Sequence, residues 1–180
     1  MPITRPFTLL LTLFMLAAAP VHAGWDPREK AELEHQAQET VRLFRQRDPS
    51  LNAFFDRAAG WAVFPTVGKG GFWIGGAYGE GVVYAGGKAI GYSELKQVSV
   101  GFQFGGQAYS EIIFFRDQAA LQRFQSGKLE FDAQASGVVA DKGAGANADY
   151  HKGVAIFTLI KGGLMAEASV GGQTFSFHPR

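Results

Sequence analysis

From residue 26 the chain reads first with a helical period and then with a strand period. Leu33, Ala37, Val41 and Phe44 recur at spacings of four, four and three, the apolar stripe of one helix. Asp26 precedes Pro27, and Glu29 follows three positions after the aspartate. This supplies a side-chain N-cap, a proline where no amide hydrogen is needed, and an acid that reaches back to the cap. The stripe predicts a helix to about Arg47. Asp48-Pro49 interrupts it, and Ser50 is placed to cap a second helix that turns Leu51, Phe54, Phe55 and Ala58 inward.

Beyond Ala58 the apolar residues come in short runs bounded by glycine pairs. Trp61 to Phe64 is one run, which Pro65 is expected to stop. Gly71 to Ala77, Gly81 to Ala85, Gln97 to Phe104 and Ala108 to Phe115 read as strands, and Gly86-Gly87 reads as a tight hairpin turn. Asp117 caps one more helix, with Ala120, Leu121 and Phe124 on its inner side and Gly127 as its stop. Leu129 to Val139, Val154 to Ile160, Leu164 to Val170 and Gln173 to Phe177 complete the strands, and Lys142 to Asp149 reads as a loop. Gly75-Gly76, Gly105-Gly106 and Gly171-Gly172 each follow a strand-like run, but their irregular spacing describes no solenoid.

Residues 1–23 stand apart. Arg5 precedes an apolar stretch from Phe7 to Ala19 broken only by Thr8 and Thr12, and Pro20 and the small-residue site Val21-His22-Ala23 follow. This is the form of a signal peptide cleaved after Ala23, and the stretch is shorter than the ~20 residues a membrane anchor needs. The expected organisation is a leader over 1–23, a helical segment over 24–58 and a β-rich domain over 59–180. No later apolar run is long enough for a transmembrane helix. The strands look too short and too irregular for an outer-membrane barrel, so the mature chain is expected to be soluble and periplasmic or secreted.

Composition narrows the chemistry. The 180 residues contain no cysteine, which excludes disulfides, thiolate metal sites and a cysteine nucleophile. Seventeen basic side chains oppose sixteen acidic ones, so no global field attracts nucleic acid, and any anion site must be local. The outlying number is 24 glycines, all after Ala23, roughly twice the usual ~7%. Glycine within strands marks bulges, corners and close backbone approach, and many such positions in one small sheet predict strong bending, as in a half-closed or closed barrel.

Gly60-Trp61-Ala62-Val63-Phe64-Pro65, Lys69-Gly70-Gly71-Phe72, Gly75-Gly76 and Gly79-Glu80-Gly81-Val82 together resemble the opening of a SYLF domain. The resemblance runs on through Ser99 to Gln107, Ile112 to Phe115 and Gly143-Ala144-Gly145-Ala146. It closes with Lys161-Gly162-Gly163-Leu164-Met165-Ala166 and Gly171-Gly172, so that it covers roughly Ala58 to Phe177. It implies a non-enzymatic lipid-binding domain, with phosphoinositides as ligands of eukaryotic members and a link to actin in yeast members. An exported chain does not meet actin, so that activity is not expected here. Tyr92-Ser93 is followed by Glu94-Leu95 where eukaryotic members tend to carry proline, and Asp141-Lys142 replaces an expected Gly-Pro pair. The resemblance is to the secreted bacterial branch.

Lipid binding needs cations for phosphate and apolar side chains that enter the headgroup layer. Lys69 followed by Gly70, Gly71, Phe72 and Trp73 offers an ammonium, two successive side-chain-free amides and two aromatics. Lys161, Gly162 and Gly163 repeat the arrangement before Leu164-Met165. Solvated turn lysines beside core strands explain the same residues. Arg42, Arg45 and Arg47 form a third basic group, either a membrane contact or an ordinary helix C-terminus whose dipole favours cations. For an enzyme the inventory is poor: His35, His151 and His178 show no metal-ligand spacing, and Glu130 and Asp132 read as the polar face of a strand. No phosphate-loop fingerprint is present.

The expectation is an α+β protein with N-terminal helices packed on a strongly bent, glycine-rich, barrel-like antiparallel sheet. It binds anionic phospholipid at a membrane surface, with no catalytic residues, metal or cofactor. The alternative is a structural envelope module that binds another protein.

Overall fold

The computed structural model describes residues 26–71, 74–100, 107–129, 131, 136–162 and 168–180. Its helices are α1 (Pro27–Arg47), α2 (Asn52–Arg57), α3 (Gln118–Gln125) and α4 (Ala144–Asn147). Its strands are β1 (Gly60–Gly71), β2 (Ile74–Ala85), β3 (Lys88–Val100), β4 (Gln107–Phe115), β5 (Ser136–Val139), β6 (Val154–Gly162), β7 (Ala168–Ser169) and β8 (Gln173–Pro179). They form one sheet in the order β7-β5-β6-β4-β1-β2-β3-β8. Every pair is antiparallel except β5–β6, which is parallel.

The alternation of side chains along each strand divides two cores between the sheet's faces. On the inner face Ala62, Phe64, Val67, Val83, Leu95, Ile113 and Phe115 pack with Leu121 and Phe124 of α3. On the outer face Val63, Val82, Ile112, Phe114 and Phe157 pack with Leu33, Ala37 and Phe44 of α1 and with Phe54 and Phe55 of α2. The N-terminal helices therefore share a core with the strands.

The sheet is curled. From β4 to β8 is four strand steps, about 19 Å if flat. Yet Gln173 Nε2 on β8 donates to Glu111 Oε2 on β4 at 3.0 Å, and the rings of Phe64 on β1 and Phe175 on β8 lie 5.8 Å apart. The ladder nevertheless stays open, with β7 and β8 at its two ends. The barrel-like expectation thus holds for the bending and fails for closure.

Several sequence expectations resolve differently in the structure. The α1 capping box is formed as expected, but the second helical segment is capped by Asp48, whose side chain accepts from the Ser50 amide. Pro65 does not stop β1. It sits in a bulge where the register shifts against both β2 and β4, which lets a central strand carry a residue without an amide hydrogen. The run Gly71 to Ala77 is split between the end of β1 and the start of β2. The strand that begins at Ile74 continues through Gly79 and Gly81 to Ala85, so β1 to β3 are 12, 12 and 13 residues long. An alanine at Gly81 would place its Cβ 2.6 Å from the Val63 carbonyl oxygen, so glycine there permits close approach and does not end the strand. Gly86 and Gly87 both have positive φ (57° and 75°), as a two-residue hairpin turn requires. Of the segment expected as a strand over Leu129 to Val139, β5 is the described strand, and the loop over Lys142 to Asp149 contains α4. Of Leu164 to Val170, β7 is the described strand. Residues 1–25, 101–106, 132–135 and 163–167 lie outside the described residues, and with them the leader, Asp132 and Gly163; so do Phe72, Trp73 and Glu130.

Candidate functional site at one end of the sheet

Register places five strand ends side by side. Gly71 lies opposite Gly75, Ile74 opposite Val100, Lys69 opposite Gln107, and Ala108 opposite Gly162. Lys69 and Lys161 both belong to this end. They point to opposite faces. Lys69 lies two residues beyond Val67 and opposite Ala77, both in the inner core. Lys161 lies two residues beyond Leu159, which packs on the outer core, and its Nζ donates to Thr66 Oγ1 at 2.9 Å. Lys161 is the extra residue where β6 slips against β4. Neither lysine makes an ion pair with another described residue, and partial burial lowers the pKa of both ammonium groups.

The glycines beside them do not form the expected concavity of turn amides. Gly70 and Gly71 are the last residues of β1, in register with Gly76 and Gly75, and Gly162 ends β6 opposite Ala108. Ladder positions replace an open nest. Phe72, Trp73 and Gly163 lie outside the described residues.

The arginines lie elsewhere. Arg42 pairs with Glu39 one turn back along α1. Arg45 donates to Asn52 Oδ1 at 2.8 Å, and its guanidinium lies 4.1 Å from the centre of the Phe55 ring. Arg47 approaches Asp141 at 3.7 Å. These side chains fasten the end of α1 to α2 and to the loop before α4. β1 starts just after α2 and runs about 30 Å before reaching Lys69, so arginines and lysines occupy opposite ends of the sheet. The structure brings the two lysines together and leaves the arginines out.

Sequence reading missed what Gly143 and Gly145 do. The buried Asp48 carboxylate accepts from the amides of Ser50 (3.0 Å), Gly143 (3.1 Å) and Gly145 (2.6 Å) and from the Ser50 hydroxyl (2.6 Å). Burial works to raise its pKa, but these hydrogen bonds together outweigh it and hold the carboxyl below its ordinary value. A Cβ on Gly145 would lie 2.7 Å from Ser50 Oγ. The segment is a structural clamp 95 residues away in sequence, and locally Asp48 read only as the break between two helices.

The described residues hold no cluster of three or more metal-ligating side chains, and none of their helices is long and apolar enough to cross a membrane. Residues 96–179 match the family model described as Ysc84, Las17-binding protein actin regulator. Over residues 96–179 the chain is similar to the SYLF family. A curated relative, Beta cell expansion factor A of Aeromonas veronii, is 28% identical over 137 residues, which are 75% of this chain and 51% of that protein. The chain spans about half the length of that relative. The match takes in the end of β3 and all of β4 to β8, including Lys161 and the Asp48-binding glycines. Lys69, the strands β1 and β2 and most of β3 precede it.

Proposed function

We propose that this protein is an exported, non-enzymatic module that binds anionic phospholipid through the sheet end carrying Lys69 and Lys161. The observation that supports the reading is their placement. Two lysines without acidic partners among the described residues flank the strand ends from opposite faces. In sequence, Phe72-Trp73 lies between β1 and β2, Gly101 to Gly106 with Phe102 and Phe104 lies between β3 and β4, and Gly163 to Glu167 with Leu164 and Met165 follows β6. Cations next in sequence to apolar and aromatic residues are what a headgroup layer accepts. The arginines of α1, each with a partner within the protein, are not part of this site.

The test is co-sedimentation with vesicles of phosphatidylglycerol in phosphatidylcholine. At about 1 kcal/mol per cation near an anionic surface, reversing one charge (Lys69→Glu or Lys161→Glu) removes about 2 kcal/mol, roughly 30-fold in binding. Unchanged binding by the folded double variant refutes the site. A protein-binding reading has one observation in its favour: β8 ends the ladder and offers an edge to another strand. A stoichiometric partner retained in detergent, with no vesicle binding, would select it.

A further inference from the structure

Inside the curl, one layer of the inner face is polar. Glu111 lies in register between Phe64 of β1 and Thr158 of β6, and Tyr109 precedes it by two positions along β4. From the far edge Gln173 reaches across, its Nε2 donating to both Glu111 Oε2 (3.0 Å) and the Tyr109 hydroxyl (3.2 Å). Beside it Gln97 of β3 donates to the Gly171 carbonyl at 2.7 Å. Glu111, Thr158 and Tyr109 are fully buried, and Gln173 is 1% exposed. Glu111 Oε1, Gln173 Oε1 and Thr158 Oγ1 have no hydrogen-bond partner among the described residues. Native interiors rarely leave such atoms unpaired, so a buried polar layer of this kind calls for an explanation.

We propose that Glu111, Tyr109 and Gln173 form a latch that holds the β8 edge across the inner face onto β4 while the Glu111 carboxyl is neutral, and releases it when that carboxyl ionises. The bridge from Gln173 is a polar tie between strands four steps apart in the ladder, so it bears on the curl itself. Among the described groups facing Glu111 none carries a positive charge, and the Gln173 amide is the one donor to its carboxyl. Tyr109 on its own strand is the titratable one, and its hydroxyl is itself held protonated. Thr158 on β6, Gln173 on β8, Gln97 on β3 and Phe64 on β1 are neutral. The nearest cation in the register is Lys69, opposite Gln107 and two inward rows away.

Burial pushes the Glu111 carboxyl up to about 8, the hydrogen bond from Gln173 only partly opposing it. With β8 released and water admitted, the group returns towards its ordinary value near 4.5. The closed form therefore holds the proton and the open form loses it. Opening is favoured as pH rises between those two values and levels off above the upper one.

The experiment is amide hydrogen exchange on the full chain from pH 5 to pH 9, corrected for intrinsic rates, on wild type and Glu111→Gln. The variant keeps the side-chain shape and the acceptor for Gln173 but cannot ionise. In wild type, opening at Phe175 and its β8 neighbours should rise by up to about tenfold per pH unit and level off near pH 8. In the variant it should be flat. A flat wild-type profile, an equal slope in the variant, or a rise spread equally over α1 overturns the latch. Should Glu111→Gln fail to fold, carboxyl carbon NMR of wild type decides. A glutamate midpoint near 8, coincident with the levelling of β8 exchange, supports the proposal. A Glu111 midpoint below 5, or exchange that does not follow the midpoint, ends it.

Discussion

Replacing Asp48 by asparagine removes a charge and converts one acceptor into a donor while keeping the side chain's shape. Oδ2 accepts only from the Gly145 amide, at 2.6 Å, so an amide nitrogen placed there faces another N–H and leaves it buried without a partner. That costs about 1–3 kcal/mol. The three bonds to Oδ1, from the Ser50 amide and hydroxyl and the Gly143 amide, lose their charge assistance, roughly 0.5–1 kcal/mol each. Part of this is returned because no charge is buried any longer. The net expectation for Asp48→Asn is a loss of about 3 kcal/mol in urea unfolding followed by circular dichroism. The loss is also local. Trypsin should cut after Lys142 faster in the variant, because α4 is no longer held against the start of α2. The pH dependence has a definite sign. A carboxyl held below its ordinary pKa by folding contributes stability that is present above that ordinary value and disappears as pH falls through the folded one. Wild type should therefore lose stability towards acid more steeply than Asp48→Asn. An asparagine variant within 0.5 kcal/mol of wild type, cut at the same rate, would refute the clamp.

Two further perturbations separate packing from conformational effects. Gly81→Ala should cost more than about 2 kcal/mol or abolish folding, since its Cβ would meet the Val63 carbonyl oxygen and Phe64 Cδ1 at 2.6 Å. Gly70→Ala should be neutral or gain up to about 1 kcal/mol, because a Cβ there meets open space and the unfolded chain loses freedom; thermal unfolding of both variants checks the contrast. Tyr92→Phe deletes the 2.6 Å hydrogen bond to Glu34 that ties β3 to α1, and should lower stability by about 1 kcal/mol in the same assay.

What was legible in the sequence was local. The α1 stripe and its capping box, the Gly86-Gly87 turn, and the Asp117 cap with Gly127 at the end of α3 all depend on neighbours within one or two turns, and all three are formed. Strand boundaries were less legible, because glycine in this sheet has two uses that look alike in sequence. At Gly86 it supplies positive φ, whereas at Gly79 and Gly81 it removes a Cβ from a continuing strand. Pro65 misled for a similar reason: its missing donor is absorbed by a bulge that depends on both neighbouring strands. The site divides in the same way. That Lys69 and Lys161 share one end of the sheet follows from register. Their opposite faces follow from the strand period combined with two bulges, which no single segment reveals. Glu111 sits within an apolar run, Ser110 to Phe115, and nothing nearby announces that Gln173 will meet it from 62 residues away.

Because β1, β2 and β4 bury side chains on both faces, these strands have no neutral side on which substitutions can drift. Losing or gaining one residue in β1 would exchange the side chains destined for α1 with those destined for α3, turning large groups into the wrong cavity along the rest of the strand. Pro65 is the one point in β1 where such a slip is already absorbed. Length variation in relatives should therefore gather at hairpin turns such as 86–87, leaving the interiors of these strands fixed in residue count.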